Sequence, residues 1–69
     1  MEMYDVLFRD CVIGSATTKE AAIALAREYA DWHNWQFDAE IRKYGRTTLR
    51  FYSKSWPRND IECISIVKE

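Results

Sequence analysis

Sixty-nine residues with a formal charge of −1 make one domain, residues 1–69, and leave no room for a second. With 48% hydrophobic residues the composition excludes intrinsic disorder, no apolar run approaches the ~18 residues of a membrane span, and the start, Met1-Glu2-Met3-Tyr4-Asp5, lacks the basic and apolar regions of a signal peptide. A cytoplasmic setting is the expectation. A core of this size supplies only roughly 3–5 kcal/mol. Two cysteines and one histidine provide neither a disulfide framework nor a metal cluster, so self-association as a homodimer is the expected substitute. Cys11 and Cys63 read as free thiols, with Cys11 exposed at a turn.

From Met3 to Arg9 the pattern alternates, with Tyr4, Val6 and Phe8 on one side and Asp5 and Arg9 on the other. Asp10-Cys11 then reads as a two-residue turn into a short second strand that ends at Gly14, with Phe8 opposite Ile13. Thr17-Thr18-Lys19-Glu20 has the spacing of a capping box, with Thr17 as the cap. Behind it Ala21 to His33 predicts a helix whose Ala22, Leu25, Ala26, Tyr29 and His33 share an apolar face. Glu20, Arg27, Glu28 and Asp31 occupy the opposite face, and Asn34 suits the left-handed residue that ends a helix. Small alanines on the inner face let a helix lie close on a sheet.

From Phe37 the period returns to two. A two-residue loop, Tyr44-Gly45, sets Ile41 opposite Thr48 and mixes the apolar faces. A three-residue loop, Tyr44-Gly45-Arg46, sets Ile41 against Leu49, Ala39 against Phe51 and Glu40 against Arg50, and is the register expected, since a one-residue slip turns every side chain over. Ser53 to Asp60 reads as a loop around Pro57. In the last strand Ile64 and Ile66 fall on one face and Ile61, Cys63 and Val67 on the other, which suits a central strand or one covered by a partner. The fold class predicted is α+β: a single helix packed on a four- to five-stranded antiparallel sheet in the order ββαβββ. Its core comprises Tyr4, Val6, Phe8, Ile13, Leu25, Ala26, Tyr29, Phe37, Ile41, Leu49, Phe51, Ile64 and Ile66.

Charge is divided along the chain. Residues 42–59 carry Arg42, Lys43, Arg46, Arg50, Lys54 and Arg58 and no acid, interleaved with Tyr44, Phe51, Tyr52 and Trp56. The first forty residues carry eight acids against Arg9, Lys19 and Arg27. Such asymmetry is a partner signal. The alternation puts Arg42 and Arg50 on the solvent side of the sheet with Tyr52, beside the Lys54, Trp56 and Arg58 segment. Basic residues can neutralise phosphates and aromatic rings can stack on bases. Against a nucleic-acid reading, Asp38 and Glu40 share that side, and the sequence pI is about 5.8 where nucleic-acid domains are basic. The same residue types serve at protein interfaces, where tryptophan, tyrosine and arginine form hot spots. Leu7, Tyr52 and Trp56, which the core does not use, extend the patch, and Trp35 is a further tryptophan expected at the surface.

His33, between Trp32 and Trp35, could act as a base only if Cys11 or Asp31 stood within hydrogen-bond reach; nothing in the spacing brings Cys11 there. Packing against the last helical turn is the simpler use. Cys11, His33 and Cys63 likewise have no metal-site spacing. The expectation is therefore a non-catalytic binding or regulatory protein, without cofactor or metal and without a membrane role, which occupies a surface on a macromolecular partner. The partner expected first is a protein, through Arg42, Arg50, Tyr52, Lys54, Trp56 and Arg58. The alternative is a nucleic-acid-binding module using the basic-aromatic hairpin of residues 42–58. In size and element order the chain resembles small phage-encoded inhibitors, anti-CRISPR proteins among them; the likeness is one of overall plan and implies a role as an inhibitor.

Overall fold

The computed structural model describes residues 2–53 and 60–68. Its elements are β1 (Tyr4–Phe8), β2 (Cys11–Ala16), α1 (Lys19–Trp32), β3 (Trp35–Lys43), β4 (Arg46–Ser53) and β5 (Ile61–Lys68). They form an α+β fold with one helix on a five-stranded antiparallel sheet, in spatial order β2-β1-β5-β4-β3. The last strand is inserted at the centre of the sheet; its Ile64 and Ile66 are buried against the helix, while Ile61 and Cys63 are exposed on the other face.

Thr18, not Thr17, caps the helix. Its backbone is extended, and its Oγ1 accepts a hydrogen bond from the Ala21 amide at 3.1 Å, so the Thr17–Glu20 capping box does not form. At the other end the His33 amide donates to the Ala30 and Tyr29 carbonyls, and Asn34 takes a φ of 58°, the left-handed stop its side chain tolerates. Fourteen helical residues extend about 21 Å.

The buried row of the helix is Ala22, Ala26 and Ala30, and it meets Val6, Leu49, Phe51, Ile64 and Ile66. Each of these large side chains contributes about 1.5–3 kcal/mol by leaving water. Tyr4, Phe8, Ile13, Tyr29 and Trp35 pack at the margin. Trp35, expected at the surface, instead joins Phe8, Tyr29 and His33 in a ring cluster with centroids 4.6–5.8 Å apart.

Three residues expected in the core are exposed: Leu25, Phe37 and Ile41. Leu25 flanks the alanine row and lies over Gly14, where an added Cβ would stand 3.4 Å from its Cδ1. Phe37 does face the helix side, edge-on to Phe51 at 5.8 Å, but its outer side is covered only by the Arg27 guanidinium, 4.6 Å from the ring centroid. Ile41 points away from the helix altogether.

The reason is a β-bulge. Phe37 pairs with Phe51, but Ala39 pairs with Arg50, so Asp38 is an extra residue in β3. Beyond it Glu40 stands opposite Leu49, Ile41 opposite Thr48 and Lys43 opposite Arg46, across the two-residue turn Tyr44-Gly45. The three-residue loop and the Glu40–Arg50 pair are therefore replaced. Arg50 bonds Asp38 at 2.7 Å, and Arg42 bonds Glu40 at 2.8 Å.

The first hairpin is shifted in the same way. Its turn is Arg9-Asp10, Phe8 faces Cys11, and β2 runs on through Gly14 to Ala16, with Ile13 as the extra residue between the Val6–Gly14 and Leu7–Val12 pairs. Arg9 and Asp10 have φ of 51° and 63°, both in the left-handed region that L-residues resist. Arg9 also bonds Glu62 at 3.2 Å and lies over Phe8. Asp10→Gly alone, which relieves the second left-handed residue, is therefore expected to stabilise the fold by about 1 kcal/mol and raise the melting temperature by about 4–8 °C. A thermal melt followed by circular dichroism checks this.

Candidate functional site

Residues opposite one another in antiparallel strands share a face. On the face away from the helix the pairing aligns Leu7 of β1 with Val12 of β2 and Ser65 of β5, and Asp5 with Ser15 and Val67. Ser65, Cys63 and Ile61 meet Thr48, Arg50 and Tyr52 of β4, which in turn meet Ile41, Ala39 and Gln36 of β3. Val12 is 60% exposed and Ile61 64%. Five strands of this length present about 450 Å² in projection, shared between Leu7, Val12, Ile41, Tyr52, Ile61 and Val67 and the polar Asp5, Ser15, Gln36, Thr48, Arg50 and Ser65. Among the described residues nothing packs over this face.

Of the predicted contact residues, Arg50 and Tyr52 lie on this open face and Arg42 does not. Arg42 pairs with Thr47, which is buried on the helix side, so the two-residue turn Tyr44-Gly45 puts Arg42 and Arg50 on opposite faces of the sheet. Lys54, Trp56 and Arg58 lie outside the described residues. The charge of Arg50 is already matched by Asp38. That pair is half-exposed, worth about 0.2–1 kcal/mol, and cancels the cation on a surface where Asp5 adds a negative charge. Leu7, Ile61 and Val67, apolar side chains without a core position in the sequence, belong to the surface beside the predicted contacts; Val12 and Ile41 were not predicted there, and the shifted register conceals Ile41.

Two other surfaces lie outside the body of the open face, one beside the helix and one at the end of the sheet. Ile13, Leu25, Glu28, Tyr29 and Trp32 line a shallow groove of about 210 Å³ between α1 and β2, beside a Trp32 that is 82% exposed. At the far end of the sheet Lys19, Arg42, Lys43, Tyr44, Gly45, Arg46 and Thr47 line a depression of about 250 Å³ at the β3–β4 turn.

Neither cysteine is in a disulfide, and both are exposed. Cys63 sits near the middle of the open face, opposite Arg50, whereas Cys11 pairs with Phe8 on the helix side. His33 stacks on Trp35 at 4.8 Å with an interplanar angle of 21°, and Tyr29 covers it from the helix at 4.6 Å. Its place is thus a packing position at the helix end, not the centre of the apolar arc. Among the described residues no group of His, Cys, Asp and Glu could hold a metal ion, and no helix is long and apolar enough to cross a membrane. Comparison with protein-family models, with curated proteins and with solved structures finds no match for this chain.

Proposed function

We propose that this is a non-catalytic binding protein that docks the open face of its sheet on a protein partner. The observation that carries the reading is a face that no described residue covers, where Leu7, Val12, Ile41, Tyr52, Ile61 and Val67 are held in register by five paired strands. Side chains already ordered on paired strands lose little conformational entropy on association, so apolar area converts efficiently into affinity. The partner is read as protein because Arg50 is matched by Asp38, and Asp5 adds a negative charge on the same face. Among the described residues a phosphate backbone would find no unmatched cation in the middle of it. Occupying a partner's surface excludes whatever else uses that surface, so binding alone suffices for a regulatory or inhibitory role.

Cys63 gives a direct test. A bulky maleimide adduct on Cys63, in a Cys11→Ser background, is expected to abolish capture of the partner from a lysate of the cells in which the protein acts. The same adduct on Cys11, in a Cys63→Ser background, is expected to leave capture intact. Equal capture by both adducts would remove the open face from the reading.

A further inference from the structure

The depression at the β3–β4 turn is chemically unlike the open face. Its lining is Lys19 from the first turn of α1, Arg42, Lys43 and Arg46 from the hairpin, and Tyr44, Gly45 and Thr47, with no carboxylate. A second cavity of about 210 Å³ shares Lys19, Gly45 and Thr47 and continues to Tyr4, Ile66 and Lys68, again with no carboxylate in its lining. Two of these cations are matched by acids behind them, Arg42 by Glu40 and Lys68 by Glu2, at 2.8 and 2.7 Å. Among the described residues Lys19, Lys43 and Arg46 have no acidic partner. Like charges brought to one spot repel, and an anion supplied from outside relieves that repulsion. Coulombic attraction between such a cluster and a phosphate chain is local and does not require a basic protein overall.

The aromatic at this tip narrows the ligand. Tyr44 is 94% exposed, with φ of 54°, and the Lys43 ammonium lies 5.7 Å from the ring centroid. The two-residue turn thus lifts a phenol ring clear of the protein beside three unmatched cations. A ring so placed contributes nothing to the core. Stacking on an unpaired base is what an exposed ring beside phosphate-binding cations can do. Bases in a duplex are already stacked on one another and offer it no face.

We propose that the β3–β4 turn, with Lys19, binds single-stranded nucleic acid, the phosphates held by Lys19, Lys43 and Arg46 and one base stacked on Tyr44. The site lies at the end of the sheet, at the β3–β4 turn, where Lys19, Arg42 and Thr47 stand on the helix side and the Lys43–Arg46 pair is one step further along. It does not involve Leu7, Val12, Tyr52, Ile61 or Val67.

Fluorescence anisotropy with a labelled twelve-nucleotide oligo-dT tests the proposal on the full chain. Three neutralised phosphates are expected to give a log–log salt slope of about −2, from −0.7 per phosphate on single strands. Lys43→Glu with Arg46→Glu is expected to weaken binding more than tenfold. Both positions are exposed, so circular dichroism should be unchanged, and a Lys43→Gln, Arg46→Gln pair gives a milder loss if the reversal perturbs the turn. Tyr44→Ala is expected to weaken the oligonucleotide by about tenfold while leaving inorganic polyphosphate of similar length unaffected. A duplex of the same sequence should bind more weakly than the single strand. No anisotropy change at 100 μM protein and low salt would overturn the proposal, as would binding insensitive to the charge reversals. Equal loss of polyphosphate and oligonucleotide on Tyr44→Ala, or preference for duplex, would overturn the base-stacking assignment and leave a general polyanion site.

Discussion

Phe51→Ala is expected to leave the chain largely unfolded at 25 °C. Phe51 is 1% exposed, is the largest fully buried side chain, and sits on β4 between the central strand and β3. Removing a buried phenyl group costs about 3–5 kcal/mol through lost transfer energy and the cavity left behind. A single core in a domain this small supplies roughly 3–5 kcal/mol in total. The two magnitudes are equal, so the substitution consumes the margin. Ile61→Ala is the control: it also removes an aliphatic side chain from a strand, but from the open face, where the loss should stay within about 0.5 kcal/mol. Chemical denaturation of both variants measures the contrast. Similar midpoints for the two would mean that the faces of the sheet do not differ in burial.

The second large effect concerns binding. Tyr52 and Ile61 are direct neighbours on the open face. Tyr52→Ala removes a residue type that carries about 2 kcal/mol or more at interface centres. Ile61→Asp adds the cost of drying a charge that no partner group is placed to receive, which is at least as large. Together they are expected to weaken partner capture by about a hundredfold or more, since each 1.4 kcal/mol is tenfold. The melting curve should move little. Capture from lysate by wild type and double variant side by side reads this. Undiminished recovery by the variant would shift attention to the groove beside Trp32 or to the hairpin turn.

The elements of this fold are written in local signals. Alternation at Tyr4, Val6 and Phe8, the alanine-rich helix, the stop at Asn34 and the doubly apolar last strand each predict what forms there. Register is different, because it depends on a single residue. The alternation of Phe37, Ala39 and Ile41 is consistent with one uninterrupted face, and the apolar match of Ile41 with Leu49 favours a three-residue turn. The chain instead accepts two consecutive left-handed residues at Tyr44-Gly45 and returns the faces to agreement at the far end through the bulge at Asp38. Neither device has a composition signature: Tyr44 is not a typical left-handed residue, and Asp38 is an ordinary polar position in an alternating strand. The consequence for the site is direct. Arg42 and Arg50, eight positions apart, look like neighbours on one surface and are placed on opposite ones. The basic segment legible in the sequence is therefore divided between a matched Arg50 on the open face and an unmatched cluster at the turn with Lys19, which lies more than twenty residues earlier in the chain. Only the fold brings Lys19 there.

The most direct measurement is methyl NMR of the isotopically labelled protein bound to its captured partner. Signals of Leu7, Val12, Ile41, Ile61 and Val67 are expected to shift or lose intensity, with those of Val6, Leu49, Ile64 and Ile66 nearly unmoved. A footprint confined to Leu25 and Ile13, with Ile41 and Ile61 untouched, would contradict docking through the open face of the sheet.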